Sequence, residues 1–417
     1  MTMENKKFIS KEYLPSLKYF SEKRRDVPAD YGSEMEKYRQ ASGLESMKFF
    51  HDTLAGELKS PGENRNLPVV GYLCNPIPEE LIIACGALPV RLCSADSRCA
   101  EAGEEAVPGD ICPMVKSTCG DFYNHINDNI DLLVVPATCD GKVKLAEILS
   151  PAVKEIYLLD MPRNTDYMKN IDVWTDAYTR FYEYLRDKFR ARPTRNNLMD
   201  ACRITNERTR IFRKIYEYRA RHPLALNSFD YFILSQSSFL LNPEEWTEKA
   251  GAVYRECSSR GKIMPGDAKK ILLAGSPILF PNFKILDILE ETGCHAAADV
   301  MCSAYGHLYD PVEIDEETEY GILRALTLKY IAPSICPCFV GINKLMNTIL
   351  DTVQEYGLNG VIYYNLRLCQ VFEIQTTILR NILKEKGIPL LVLKTDFSKE
   401  DTGQLKTRIE AFMEMLV

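Results

Sequence analysis

Seven of the 14 cysteines in this 417-residue chain, Cys74, Cys112, Cys139, Cys302, Cys336, Cys338 and Cys369, lie at or near points where the chain leaves an apolar run or turns beside a proline. Ligands gathered from separate strand ends can meet in one crevice beyond the carboxyl ends of parallel strands. Thiolates placed that way suit a metal centre, and iron with sulfide is the chemistry they point to. The competing reading of each is a buried core cysteine, since Cys is among the most buried residue types.

Cys74 ends an apolar run and is followed by Asn-Pro-Ile-Pro, which stops a strand and turns the chain toward a helix starting near Glu79. Cys112 precedes Pro113, and Cys139 precedes Asp140-Gly141, so each can open a helix. Free N–H groups and the positive dipole end at such a point suit an anionic group. The densest signal is Pro333-Ser-Ile-Cys336-Pro337-Cys338, a turn that neither a regular helix nor a central strand can hold. Cys369 follows the aromatic run VIYYNLRL and precedes an amphipathic helix. Cys85 reads as helix core, Cys93 and Cys99 bracket a polar loop, Cys119 is seven residues past Cys112, and Cys202, Cys257 and Cys294 have no partner nearby in sequence. Zinc fits less well, because the chain has five histidines and lacks two well-spaced CxxC pairs. Six thiols are twice the three that leave one iron of a cubane open, so two linked cubanes are conceivable. Neither a P-loop nor a G-x-G-x-x-G follows the leading strands, so no nucleotide is expected on this chain, and low-potential electrons must come from another protein. Among polar residues, Glu79 and Glu80 read as dipole-favouring acids at a helix start. Tyr305, His307 and Arg367 read equally as cleft donors or solvated loop residues.

The elements that must position these thiols are of two kinds. Short runs apolar on both faces, LPVVGYLC, LPVRLC, DLLVVPATC and EIYLLDMP, then KKILLAGSPILFP, CHAAADVMC, GVIYYNLRLC and PLLVLKTD, alternate with helix-like stretches. Such runs are typical of parallel strands covered by helices. The expected class is α/β, with two Rossmann-like (flavodoxin-like) parallel-sheet domains facing a shared cleft. The expected divisions are an N-terminal helical region at 1–62, a first α/β domain at 63–165, a helical insert at 166–268 and a second α/β domain at 269–417. Ser33 is the expected cap of an N-terminal helix. The second unit echoes the first in order, as in an internal duplication, with Cys139 and Cys369 at equivalent strand ends and Cys112 near the region of Cys336 and Cys338.

A net charge of −7, and no basic run longer than Lys23-Arg24-Arg25, argue against nucleic acid as the main partner. No apolar stretch reaches membrane-spanning length and the first residues lack a signal-peptide core, so a cytoplasmic protein with reduced thiols is expected.

At GYLCNPIPEELIIACGALPVRL, ICPMVKS, VVPATCDG and the tail GVIYYNLRLCQVFEIQTTILRNILKEKGIPLLVLKTDFSKEDTGQLKTRIEAFMEML, the sequence resembles the 2-hydroxyacyl-CoA dehydratase and benzoyl-CoA reductase component family. The resemblance covers roughly residues 60–417. It implies two Rossmann-like domains plus helices, a 4Fe-4S cubane held by three cysteines per subunit, and reduction by a separate ATP-hydrolysing iron-sulfur activase. Matched residue by residue, the family's cluster cysteines fall on Cys74, Cys112 and Cys369. Cys139, Cys336 and Cys338 depart from a simple dehydratase subunit and look like the double-cubane-cluster branch, in which two cubanes bridged by a sulfide sit in each subunit of a homodimer. Cys302 also has family counterparts and is held as a reserve ligand. The expected function is therefore an oxygen-sensitive iron-sulfur reductase of a small-molecule substrate. The alternatives are a single-cubane dehydratase subunit and an electron-storage metalloprotein.

Overall fold

Strands β1 (Val69–Tyr72), β2 (Leu88–Arg91), β3 (Leu132–Pro136) and β4 (Ile156–Leu159) pair in the order β2-β1-β3-β4. Strands β5 (Lys270–Gly275), β6 (His295–Met301), β7 (Gly360–Leu366) and β8 (Leu390–Thr395) repeat the pattern as β6-β5-β7-β8. Every pairing is parallel. The two sheets thus share one topology, and β1, β3 and β4 correspond to β5, β7 and β8 as the echo between the two halves of the sequence predicts. The fold is α/β, in a computed structural model that describes residues 31–62, 66–164, 166–260, 269–331 and 334–416.

These segments become strands because they are short, rich in Val, Ile, Leu and Tyr, and able to bury both faces. All of β1, β2, β3 and β7 is buried. Between the sheets the chain runs through helices Tyr167–Lys188, Arg195–Arg221, Ser228–Ser237 and Pro243–Arg260. In the first of these, Trp174, Tyr178, Phe181, Tyr182 and Leu185 are fully buried at helical spacing. The second opens with a capping box between Thr194 and Asn197. One continuous hydrophobic cluster joins Val69 and Leu133 of the first sheet to Ile271 and Val361 of the second, which fixes the two sheets against each other.

Ser33 is not a cap. It lies inside helix Tyr31–Ala41, whose buried face carries Tyr31, Met35 and Tyr38. Residues 1–30 of the expected N-terminal region, and Pro333 of the Cys-Pro-Cys segment, lie outside the described residues. Among the described residues no helix is long and apolar enough to cross a membrane.

Candidate metal centre

Each candidate thiol is delivered by a local device. β1 ends at Tyr72, and Cys74 takes a left-handed conformation at φ +80, costly for a non-glycine residue and characteristic of functional sites. Cys112, Cys139 and Cys369 occupy the N-cap positions of helices Pro113–Tyr123, Asp140–Leu149 and Gln370–Glu385. Their sulfurs therefore sit at the positive ends of three helices. Leu368, at φ +63, bends the chain immediately before Cys369. Cys302 follows β6. Cys336 and Cys338 ride on an irregular segment in which the Phe339 amide donates to the Cys336 carbonyl at 3.1 Å. The Val340 amide donates to the Arg163 carbonyl at 2.8 Å, tying that turn to the loop after β4.

All seven thiols line one cavity of about 330 Å³ between the two sheets. Cys74 contacts Cys336, Cys336 contacts Cys338, and Cys338 contacts Cys139, while Cys112 pairs with Cys369. Cys302 stands apart from these thiol pairs. Arg91 reaches it instead, with Nη1 donating to its carbonyl at 2.6 Å and Nη2 lying 3.8 Å from its Sγ. Among the described residues no three His, Cys, Asp or Glu side chains converge on a single metal ion; the thiols ring a space. All 14 cysteines are free.

The surroundings favour the thiolate at Cys74, Cys112 and Cys139, while burial raises Cys302. Cys139 is drawn down to about 6, first by the hydrogen bond from Cys338 and then, against burial, by Lys142. Cys74 is lowered by Cys336 and, against burial, by Lys142, Arg91 and Thr138. Cys112 is lowered by Cys369 and, against burial, by the Met114 and Val115 amides. Cys338 and Cys369 are raised, because they donate to Cys139 and Cys112 and are buried. Cys336 is raised too: the hydrogen bond from Cys338 pulls it down, but its own donation to Cys74 and its burial outweigh this. Two cations face the sulfurs. Burial would lower Lys142, yet Cys74, Cys93 and Cys139 hold it well above the ordinary lysine value. Arg91 is likewise depressed by burial and raised further by Cys93 and Cys302. A set of soft sulfur donors, three at helix N-termini and two beside fixed cations, fits an iron-sulfur group with its anionic ligands.

Glu79 and Glu80 stand in the first turn of the helix after Cys74, as expected, and each also has charged partners on other helices. Both are buried. Glu79 is paired with Arg208 and accepts from Tyr72. Glu80 accepts from Thr205 at 2.7 Å, Lys329 at 3.0 Å and Tyr330 at 2.9 Å. They hold the helix after Cys74 against the helices carrying Arg208 and Lys329. Arg367 points away from the cavity and pairs with Asp396 and Asp401. His307 belongs to no solvated loop; it is buried in the short helix Tyr305–Leu308. Arg91 and Lys142 were not singled out as site residues. Their signals were an arginine ending a buried strand and a lysine in the first turn of a helix, where the dipole disfavours a cation.

Comparison with known proteins identifies the family. The family model for the 2-hydroxyglutaryl-CoA dehydratase D-component matches residues 74–416. YjiM of Escherichia coli (strain K12), named provisionally as a dehydratase subunit, is 27% identical over 378 residues, covering 85% of this chain and 93% of that protein. The beta subunit of (R)-2-hydroxyglutaryl-CoA dehydratase of Acidaminococcus fermentans is 22% identical, over 87% of this chain and 95% of that subunit. The (R)-phenyllactyl-CoA dehydratase beta subunit of Clostridium sporogenes is 20% identical, over 82% and 91%. The chain belongs to the 2-hydroxyacyl-CoA dehydratase family.

Proposed function

We propose that the chain holds an iron-sulfur centre in the thiol cavity and is the electron-accepting component of an enzyme system whose electrons come from an ATP-hydrolysing iron-sulfur activase. The observation that carries this reading is the convergence of Cys74, Cys112, Cys139, Cys336, Cys338 and Cys369 on one cavity. When bound, such a centre supplies one-electron transfer at low potential. The chain's own part is to present thiolates at three helix N-termini, to offset their charge with Lys142 and Arg91, and to exclude bulk water with the apolar walls of Ile111, Val115, Val300 and Leu345.

Two finer readings divide the support. The names of the relatives favour a dehydratase subunit working beside a different subunit; on the family resemblance this chain would hold one cubane on Cys74, Cys112 and Cys369. The thiol set favours two sulfide-bridged cubanes in each subunit of a homodimer, and a reductase of a small molecule, because Cys139, Cys336 and Cys338 face the same cavity. Steady-state assays with activase and ATP separate them. Turnover of 2-hydroxyacyl-CoA that requires a second subunit identifies the dehydratase, and turnover of small reducible molecules by this chain alone identifies the reductase. Electron uptake that stops after a single filling would refute both and leave a storage protein.

A further inference from the structure

Behind Cys336 lies a second, smaller chamber of about 30 Å³, lined by Asn75, His307, Lys329, Tyr330 and Cys336. Ile335 and Cys336 are common to its wall and to that of the thiol cavity. Its outer side is formed by Asp310 and the exposed Lys344. Inside, the hydrogen bonding is incomplete. His307 is 5% exposed, and among the described residues neither ring nitrogen has an aligned partner; Nε2 lies 3.3 Å from Glu79 Oε1 outside hydrogen-bonding geometry. Asn75 is 9% exposed, and while its amide nitrogen donates to the Gly306 carbonyl at 3.3 Å, its Oδ1 accepts from none of the described residues.

Buried polar atoms are almost always paired, and a polar space above roughly 10–15 Å³ can hold a water. A chamber of this size has room for about two. We propose that it holds ordered water and passes protons from the surface to the thiol cavity, with His307 as the relay. The inference rests on the electron-accepting reading. A two-electron reduction takes up two electrons from the activase and two protons from water; in a dehydration the expelled hydroxide takes one proton and leaves as water, while the proton lost from the neighbouring carbon of the substrate returns to solvent. His307 receives a proton from water on the Lys344 side and releases one to water on the Cys336 side. One N–H bond forms for each that breaks, and the imidazole ends neutral. Burial lowers its pKa, so the resting ring offers one donor and one acceptor nitrogen. Tyr330 and Lys329, both bound to Glu80, keep the chamber wall polar.

The test compares wild type with H307F and H307Q, purified without oxygen. Crystal structures are expected to show water hydrogen-bonded to His307 and to Asn75 Oδ1 in the wild type, and none beside the introduced ring in the H307F variant. Iron, sulfide and the signal after chemical reduction stay unchanged, while activase-driven turnover falls about a hundredfold and its solvent deuterium isotope effect grows. Should H307F fail to fold, H307Q carries the test, since glutamine keeps the hydrogen bonds without relaying a proton. A dry wild-type chamber, or turnover within about twofold of wild type in a variant with full iron, would overturn the relay alone. A wild-type chain without iron would remove the functional reading, and the relay with it.

Discussion

Arg208→Met probes the buried frame behind Cys74. The Arg208 side chain is 2% exposed, that of Glu79 1%, and the guanidinium hydrogen-bonds the carboxylate directly. Methionine keeps much of the stem volume, so the loss is mainly that of the charge. Glu79 is left with the Tyr72 hydroxyl and the buried His307. Removing one partner of a buried pair costs about 3–5 kcal/mol, because the other charge stays desolvated. Replacing both, as in E79Q/R208M, leaves two neutral groups and costs less than the sum of the single changes by at least about 1 kcal/mol. The pH dependence has a defined sign. Burial alone would raise Glu79, but the Arg208 guanidinium, with the Tyr72 hydroxyl donating to the carboxylate, holds its pKa below the ordinary 4.5. Its stabilisation is therefore complete above pH 4.5 and declines as the pH falls further. Guanidinium titrations of all four proteins under anaerobic conditions at pH 7, followed by circular dichroism, measure the cycle. A loss below about 1 kcal/mol in R208M, or strict additivity in the double variant, would refute the reasoning.

Other outcomes follow from the same geometry. C338S should lose iron, because Cys338 touches both Cys139 and Cys336, whereas C302S should keep its iron, because Cys302 is held by Arg91 and not by another thiol; iron assays on the two variants decide this. G275A places a methyl group 2.1 Å from the Tyr364 carbonyl oxygen at φ +108. It should break the β5–β7 junction, seen as a loss of at least about 1–2 kcal/mol from the backbone conformation alone, and a lowered denaturation midpoint measures it. Burial lifts Asp121 from 3.8 to about 7, so it costs stability as the pH rises through that window. D121N should match wild type near pH 4 and be more resistant to urea at pH 8; equal midpoints at pH 8 would contradict the assignment.

The strands were readable because apolar runs such as DLLVVPATC and GVIYYNLRLC carry both faces of a buried parallel strand in their composition, and the repeated order of the two units fixed which strands correspond. The meeting of seven thiols was foreshadowed by their position at strand ends, since parallel topology sends those ends to one side of each sheet. What the sequence hid were long-range pairings. Glu79 looks like any acid at a helix start, and only the packing of the helices bearing Arg208 and Lys329 against it reveals two buried carboxylates. Arg367 sits two residues before Cys369 in sequence, but it lies in the turn after β7, where Asp396 and Asp401 draw it away. Ser33 has the right type for a cap, yet the helix already includes Tyr31, so its neighbours outweighed local propensity.

The most direct test of the central claim is the iron and acid-labile sulfide content per chain of protein purified without oxygen, with electron paramagnetic resonance before and after chemical reduction. The account predicts iron with sulfide. About eight irons with excess sulfide would indicate two bridged cubanes, and about four the single-cubane subunit. A chain without iron, or with zinc in its place, would contradict the account.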